Sequence, residues 1–92
     1  MLSGHKMKTF TVYRTEARKL KNDFDRENYN ESDQPQFEGI EFTDGKVAIR
    51  WLTTSRSVSF WDSMEEMKKV HIYAHPDYGT KVIYSDGTTE LL

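Results

Sequence analysis

Cysteine is absent from the chain. Disulfide bridges, thiolate nucleophiles and cysteine-ligated zinc or iron–sulfur sites are therefore excluded. No apolar run approaches the roughly 18 consecutive residues that a membrane-spanning helix needs, and the first residues lack the apolar stretch of a signal peptide. We expect a soluble, cytoplasmic protein with no membrane contact.

Glycine is scarce, and its five positions are dispersed along the chain. The sequence contains no phosphate-binding glycine loop, no dinucleotide fingerprint and no Gly-x-Ser-x-Gly nucleophile elbow. We interpret the glycines as turn residues. Because these catalytic motifs are missing, the sequence favours a non-catalytic role over an enzyme, and it predicts no cofactor.

With 92 residues, the chain is shorter than the roughly 100–200 residues of an ordinary domain. We expect one domain over residues 1–92, with residues 1–7 as a flexible N-terminus. An aromatic content of 13% indicates a packed core, since each ring buries a large area. The chain is too small for a large enzyme with several substrates.

Charge is divided unevenly, although the overall net charge is only −2. Residues 6–21 carry a net charge of +5, and residues 22–41 carry −6. The polar composition of residues 22–36 predicts a long acidic loop. The stretch Thr15–Phe24 fits either a short helix with one apolar stripe or a loop, and the sequence leaves both open.

The middle of the chain predicts a three-stranded antiparallel meander. Asp44-Gly45 separates two alternating runs, which is the signal of a β-hairpin with a type I′ turn. A third run, Arg56–Trp61, follows a polar turn. Alternation places Trp61 and Arg50 on the outer face and predicts that one set of residues shares the buried face: Ile40, Val47, Ile49, Trp51, Val58 and Phe60.

A helix is predicted at about Ser63–Ala74, capped by Asp62 or Ser63. Its buried stripe should consist of Met64, Met67, Val70, His71 and Ala74. Alternation also predicts a strand at Lys8–Arg14, a strand at Lys81–Ser85 and a short edge over residues 89–92. The predicted fold is α+β, with a mainly antiparallel sheet of four to five strands and one main helix packed on one face.

Two histidines, His71 and His75, are spaced to lie on one face of a continuous helix. Such a pair is half of a metal site. The glutamate of a His-Glu-x-x-His zinc motif is replaced by Ile72. We keep a small metal-dependent hydrolase as an alternative, beside the simpler interpretation of a core histidine and an exposed one.

Binding residues are proposed from side-chain type. Arginine and tryptophan are enriched at interface hot spots, so Arg50, Arg56 and Trp61 are the candidate partner-binding residues. The leading hypothesis is a non-catalytic accessory protein that binds a protein partner, as a monomer or as a weak homodimer through a strand edge. The alternative is a nucleic-acid-binding module. Its basic residues would be Lys8, Arg14, Arg18, Lys19 and Lys21, with Arg50 and Arg56.

The run Gly39–Leu52, continued by Arg56-Ser57 and Asp62-Ser63, resembles short proteins of bacteriophages, prophages and related bacterial genomes. Those proteins combine a Gly-x-x-Phe-x-Asp-Gly hairpin, a strand ending in Arg-Trp, an Asp-Ser helix start and a histidine-rich turn. The resemblance covers about residues 37–85 and the strand near Phe10–Arg14. At the turn the relatives read His-Gly-His-Gly, whereas this chain has His71–Gly79. The resemblance implies a mobile-element origin and a similar fold.

Overall fold

The computed structural model describes residues 6–22, 25–54 and 56–92, with the side chain of Glu27 excepted. The fold has an antiparallel sheet of six strands and one α-helix in this part of the chain. The elements in chain order are β1 (Lys8–Arg14), β2 (Phe37–Glu41), β3 (Val47–Trp51), β4 (Val58–Trp61), α1 (Met64–His71), β5 (Thr80–Tyr84) and β6 (Thr89–Leu91). The strand order across the sheet is β4-β3-β2-β1-β5-β6.

The α+β class, the central meander and the helix are confirmed, while the sheet has six strands in the described part of the chain rather than the expected four or five. Strand β1 inserts between the meander and β5, because it pairs with β2 on one side and with β5 on the other. No helix in the described ranges has the length and apolar character of a membrane span. The sequence predicts that residues 1–7 are flexible. Residues 1–5 of this segment lie outside the described residues.

Helix α1 covers one face of the sheet, and no helix or strand in the described part of the chain covers the other. The core on the covered face consists of Phe10, Val12, Phe37, Val47, Ile49, Met67, Ile72, Val82 and Tyr84. Trp51, Trp61 and Met64 pack against it. We call the uncovered side the open face; neighbouring strands place Ile40 and Ala48 there.

The predicted buried face is correct for β3 but wrong for β4 and for Ile40. Ile49 pairs with Ser59, so Ser59 and Trp61 lie on the covered face. Val58 and Phe60 lie on the open face, where 55% and 76% of their surfaces are exposed. Alternation within a strand gives two sets of residues but does not say which set faces the core, because a register shift of one residue exchanges them.

The hairpin at Asp44-Gly45 forms, but its turn is not type I′. Phe42 N–H donates to the Lys46 carbonyl at 2.8 Å, so the loop has three residues. Gly45 has φ +89°, and Asp44 is not among the described residues with positive φ. This is the geometry of a three-residue hairpin loop, in which only the glycine is left-handed. The side chain of Asp44 accepts from Lys46 N–H at 3.0 Å.

Helix α1 begins as the sequence predicts and ends three residues earlier. Ser63 is the cap, since its hydroxyl accepts from Glu66 N–H at 3.1 Å. The helix ends at His71, so the predicted stripe is wrong at its C-terminal end, where Val70 and Ala74 are exposed. Ile72, just past the helix, is buried in the core instead.

The segment between β1 and β2 contains two short 3-10 turns, Arg18–Leu20 and Arg26–Asn28, and no α-helix in its described part. Phe24, the last residue of the helix alternative, lies outside the described residues. The segment is held against the sheet by two amides. Asn30 donates to the Leu52 carbonyl at 3.1 Å, and the fully buried Gln36 donates to the Asn30 carbonyl at 3.0 Å.

Candidate anion-binding site

The structure separates the three residues predicted to bind a partner. Arg50 is exposed on the open face, and Arg56 is exposed in the connection before β4 with φ +49°. Trp61 lies on the covered face, so its predicted outward orientation is wrong. Its ring meets the His71 ring edge-on at 5.2 Å, and its indole N–H donates to the Ser59 hydroxyl at 3.1 Å.

Several residues of the nucleic-acid alternative are paired with carboxylates. The Arg18 guanidinium lies 3.2 Å from Glu31, and Lys19 lies 3.5 Å from Glu16. Lys8 lies 4.0 Å from Asp86. These pairs offset the local positive charge, so this part of the basic segment does not form an extended basic patch.

Two residues of that alternative and both histidines of the metal alternative meet at one place. His75 stacks on the Tyr78 ring, with centroids 4.5 Å apart and an interplanar angle of 4°. The Arg14 guanidinium and the Lys21 ammonium each lie 5.1 Å from the same ring. Tyr29 and His71 complete what we call the Tyr78 cluster: Arg14, Lys21, Tyr29, His71, His75 and Tyr78.

Separate elements bring these side chains together. Arg14 ends β1, His71 ends α1, and His75 and Tyr78 lie in the connection from α1 to β5. That connection is fixed to the end of β1, because Glu16 N–H donates to the Tyr78 carbonyl at 2.9 Å. Residues far apart in sequence are therefore held in a defined arrangement.

Arg14 is the least expected member, since only 5% of its surface is exposed. Its guanidinium donates to the carbonyl oxygen of His71 at the end of α1 and faces the Trp51 ring at 5.4 Å. Among the described residues it forms no ion pair, and its Nε has no hydrogen-bond partner. Burial lowers the pKa of Arg14, while Tyr29 and Tyr78 act to raise it. A buried arginine is rarely left without an anionic partner.

The two histidines are held in the neutral form near neutral pH. Burial lowers the pKa of His71, and Arg14 and His75 lower it further. Burial also lowers the pKa of His75, with Arg14 and Lys21 acting in the same direction and Asp77 acting against them. Each imidazole can therefore accept or donate a hydrogen bond without carrying charge.

The two tyrosines are shifted in opposite directions. Their hydroxyl oxygens are 3.4 Å apart, and their rings meet edge-on at 5.9 Å. Burial, followed by the hydrogen bond with Tyr78, raises the pKa of Tyr29. Burial acts to raise the pKa of Tyr78 too, but hydrogen bonds with Lys21 and Tyr29 outweigh it and lower the pKa. Clusters of perturbed titratable groups are typical of functional sites.

The cluster does not contain a metal site within the described residues. No group of three or more histidine, aspartate or glutamate side chains there could hold a metal ion. His71 and His75 are also not two positions of one helix, since α1 ends at His71. The spacing argument for a metal half-site, which assumed a continuous helix, therefore no longer applies.

A family model described as Acb5 phage protein matches residues 37–86, which is more than half of the 92-residue chain. The chain belongs to the Acb5 phage protein family. The resemblance to phage proteins noted in the sequence is thereby confirmed. The family region includes His71, His75 and Tyr78, whereas Arg14 and Lys21 lie before it. Neither the curated proteins nor the solved structures contain a match to the chain.

No sequence motif marks Tyr29 or Tyr78 as a binding residue. Tyr78 stands three residues after His75 in a turn that contains Pro76 and Gly79, so an aromatic residue beside a histidine was a usable signal. Tyr29 gave no comparable signal, because it stands among polar and acidic residues with no histidine nearby. Its role depends on how that segment folds back on β1.

Proposed function

We propose that this Acb5-family protein acts by binding an anionic group, of the phosphate or carboxylate type, at the Tyr78 cluster. The observation that carries the proposal is Arg14, a buried guanidinium that has no carboxylate among the described residues and an Nε without a partner. An anion would supply the missing counter-charge. Arginine suits this task because its planar guanidinium donates several hydrogen bonds to one oxyanion.

The other members provide complementary chemistry. A hydrogen bond to Tyr78 raises the pKa of Lys21, which keeps its ammonium charged. Lys21 is partly exposed, so it can attract an anion from solvent before Arg14 is reached. The Tyr29 hydroxyl and the neutral imidazoles add hydrogen-bond donors that carry no negative charge.

A compact anionic ligand fits the basic residues better than an extended nucleic acid does. An extended nucleic-acid surface needs several basic side chains free to meet successive phosphates. Here Arg18 and Lys19 are paired with carboxylates, and Arg14 is buried. A compact ligand with one or two charged groups fits the cluster better than a polyanion along a groove.

The test is a titration with inorganic phosphate, and separately with acetate, at low ionic strength. Binding is followed by the NMR signals of the histidine rings. We expect the His71 and His75 signals to shift and the pKa of both to rise, because a bound anion stabilises the imidazolium form. The phosphate and acetate titrations distinguish the two types of anion.

Lys21→Gln and Lys69→Gln form a matched pair of variants. Lys69 is exposed on α1 and pairs with Glu66 at 3.2 Å. We expect Lys21→Gln to weaken phosphate binding about tenfold, which is about 1.4 kcal/mol, and Lys69→Gln to leave it unchanged. Equal loss in both variants, or no histidine response to either anion, would refute the proposal.

A second candidate function is binding of a protein partner through the open face. Exposed apolar side chains on this face support it, because helix α1 packs only on the opposite side. Arg50 stands directly opposite Glu38 on that face, so the surface carries both signs of charge. If this protein captures a partner protein from a bacterial lysate, that capture should depend on Arg50. Arg50→Glu should abolish the capture of the partner, and Lys69→Glu should not. Capture that survives Arg50→Glu would argue against this function.

A further inference from the structure

Strand β4 is an edge of the sheet that carries neither a charge nor a proline. Among the described residues it pairs with β3 alone, and it is the terminal strand in the sheet order. Proteins protect such edges with lysine, proline, bulges or very short strands. The sequence Val-Ser-Phe-Trp of β4 contains no charge and no proline. The opposite edge, β6, has only three residues and includes Glu90.

The backbone groups that β4 presents outward follow from its register with β3. Trp51 N–H donates to the Ser57 carbonyl at 2.9 Å, which fixes Ser57 in a hydrogen-bonded pair. Hydrogen-bonded and non-hydrogen-bonded pairs alternate along an antiparallel ladder. Ser59, paired with Ile49, therefore also bonds to β3, and the N–H and C=O groups of Val58 and Phe60 point away from the sheet.

We infer that β4 pairs with β4 of a second copy of this chain, antiparallel and about a two-fold axis at Ser59. In this register Val58 of one copy stands opposite Phe60 of the other, and each of these two pairs can exchange two backbone hydrogen bonds. Both side chains lie on the open face, so each pair is an aromatic residue beside a β-branched one. Such cross-strand pairs stabilise a sheet.

The residues that flank β4 have opposite charges. Arg56 precedes the strand and Asp62 follows it. Both are exposed, and Asp62 also lies 3.2 Å from Lys46 of its own chain. Antiparallel pairing centred on Ser59 places Arg56 of one copy beside Asp62 of the other, once at each end of the interface. This charge complementarity favours a second copy, and this register, over an unrelated extended segment.

The interface is small, because β4 has only four residues. We therefore expect weak, reversible dimerisation rather than an obligate dimer. Sedimentation velocity between about 20 µM and 1 mM covers the range of weak association. We expect the mass to rise from monomer toward dimer across this range, and a monomer at the highest concentration would overturn the inference.

Proline variants at the two edges provide matched tests. The N–H of Val58 points outward, so Val58→Pro removes an interface donor without removing a bond to β3. The N–H of Leu91 also points outward from β6, because Leu92 and Glu90 occupy the bonded positions. We expect Val58→Pro to abolish dimerisation and Leu91→Pro to leave it unchanged. A dimer that persists in Val58→Pro would refute pairing through β4.

A charge exchange tests the register. In a Lys46→Gln background, which removes the partner that Asp62 has within its own chain, Arg56→Glu should weaken the dimer several-fold, and addition of Asp62→Arg should restore it, since the charges are then exchanged across the axis. Continued weakness of the double variant would contradict the proposed register. Circular dichroism of each variant at low concentration would verify that the monomer remains folded.

Discussion

The clearest stability prediction concerns Gly39, which lies inside strand β2 rather than in a turn. It pairs with Phe10 of β1, and the Phe10 ring lies across it. A Cβ added at Gly39 would meet Phe10 Cε2 at 2.7 Å and the Ala48 carbonyl oxygen at 2.8 Å. Interpreting every glycine as a turn residue is therefore wrong at this position, where the hydrogen side chain makes room for a ring.

Gly39→Ala should destabilise the protein by about 2–3 kcal/mol, because Phe10 is buried and cannot move away without disturbing the core. For a domain of this size, that loss corresponds to a fall in Tm of roughly 10–20 °C. Urea denaturation followed by tryptophan fluorescence gives the free energy of unfolding directly. Phe10→Leu should relieve the contact, so the double variant should be more stable than the two single losses predict by at least about 1 kcal/mol.

Gly87→Ala is the matched control. Gly87 has φ +92°, and apart from its two chain neighbours no described residue has an atom within 4 Å of an added Cβ. Its substitution should cost about 1–2 kcal/mol through backbone strain alone, and Phe10→Leu should not relieve it. If Gly39→Ala costs less than about 0.5 kcal/mol, or if its cost is additive with Phe10→Leu, the steric explanation is incorrect.

Three further predictions follow from local contacts. Ser63→Ala removes the cap of α1 and should cost about 1 kcal/mol in thermal unfolding, whereas an unchanged Tm would exclude a stabilising cap. Because the pKa of His71 in the folded state is below the unfolded value of 6.5, stability should fall as pH drops below that value; a flat profile from pH 7 to 5 would contradict this shift. Lys68 is buried, and its ammonium lies 3.0 Å from the Glu90 carboxylate, so Glu90→Gln removes the counter-charge. This variant should lower the free energy of unfolding by about 1–3 kcal/mol, which is less than for a fully buried pair because Glu90 is partly exposed. Glu66→Gln, in an exposed pair, should cost under about 0.5 kcal/mol by the same urea titration, and equal losses would count against the burial argument.

Much of the secondary structure is determined locally and could be predicted from the sequence. The meander, the strand near Lys8–Arg14 and the cap at Ser63 are all found where the pattern places them. Their signals act over a few residues: alternation, an Asp-Gly turn, or a serine three residues before a glutamate. The end of α1 was predicted less well: the pattern extends the helix to Ala74, whereas it ends at His71 and Ile72 is buried in the core.

The side of the sheet that each residue faces, and the residues that meet at the Tyr78 cluster, were decided by tertiary structure. In β4 the sequence marks Val58 and Phe60 as one set, but the register with β3 turns that set outward. From the sequence, Arg14 is expected to be an exposed basic residue. In the structure, β5 and α1 bury it beside Tyr78. Local patterns fix what each segment becomes, because their interactions span a few residues. The environment of a side chain depends on register and on segments distant in the chain, which only the folded arrangement specifies.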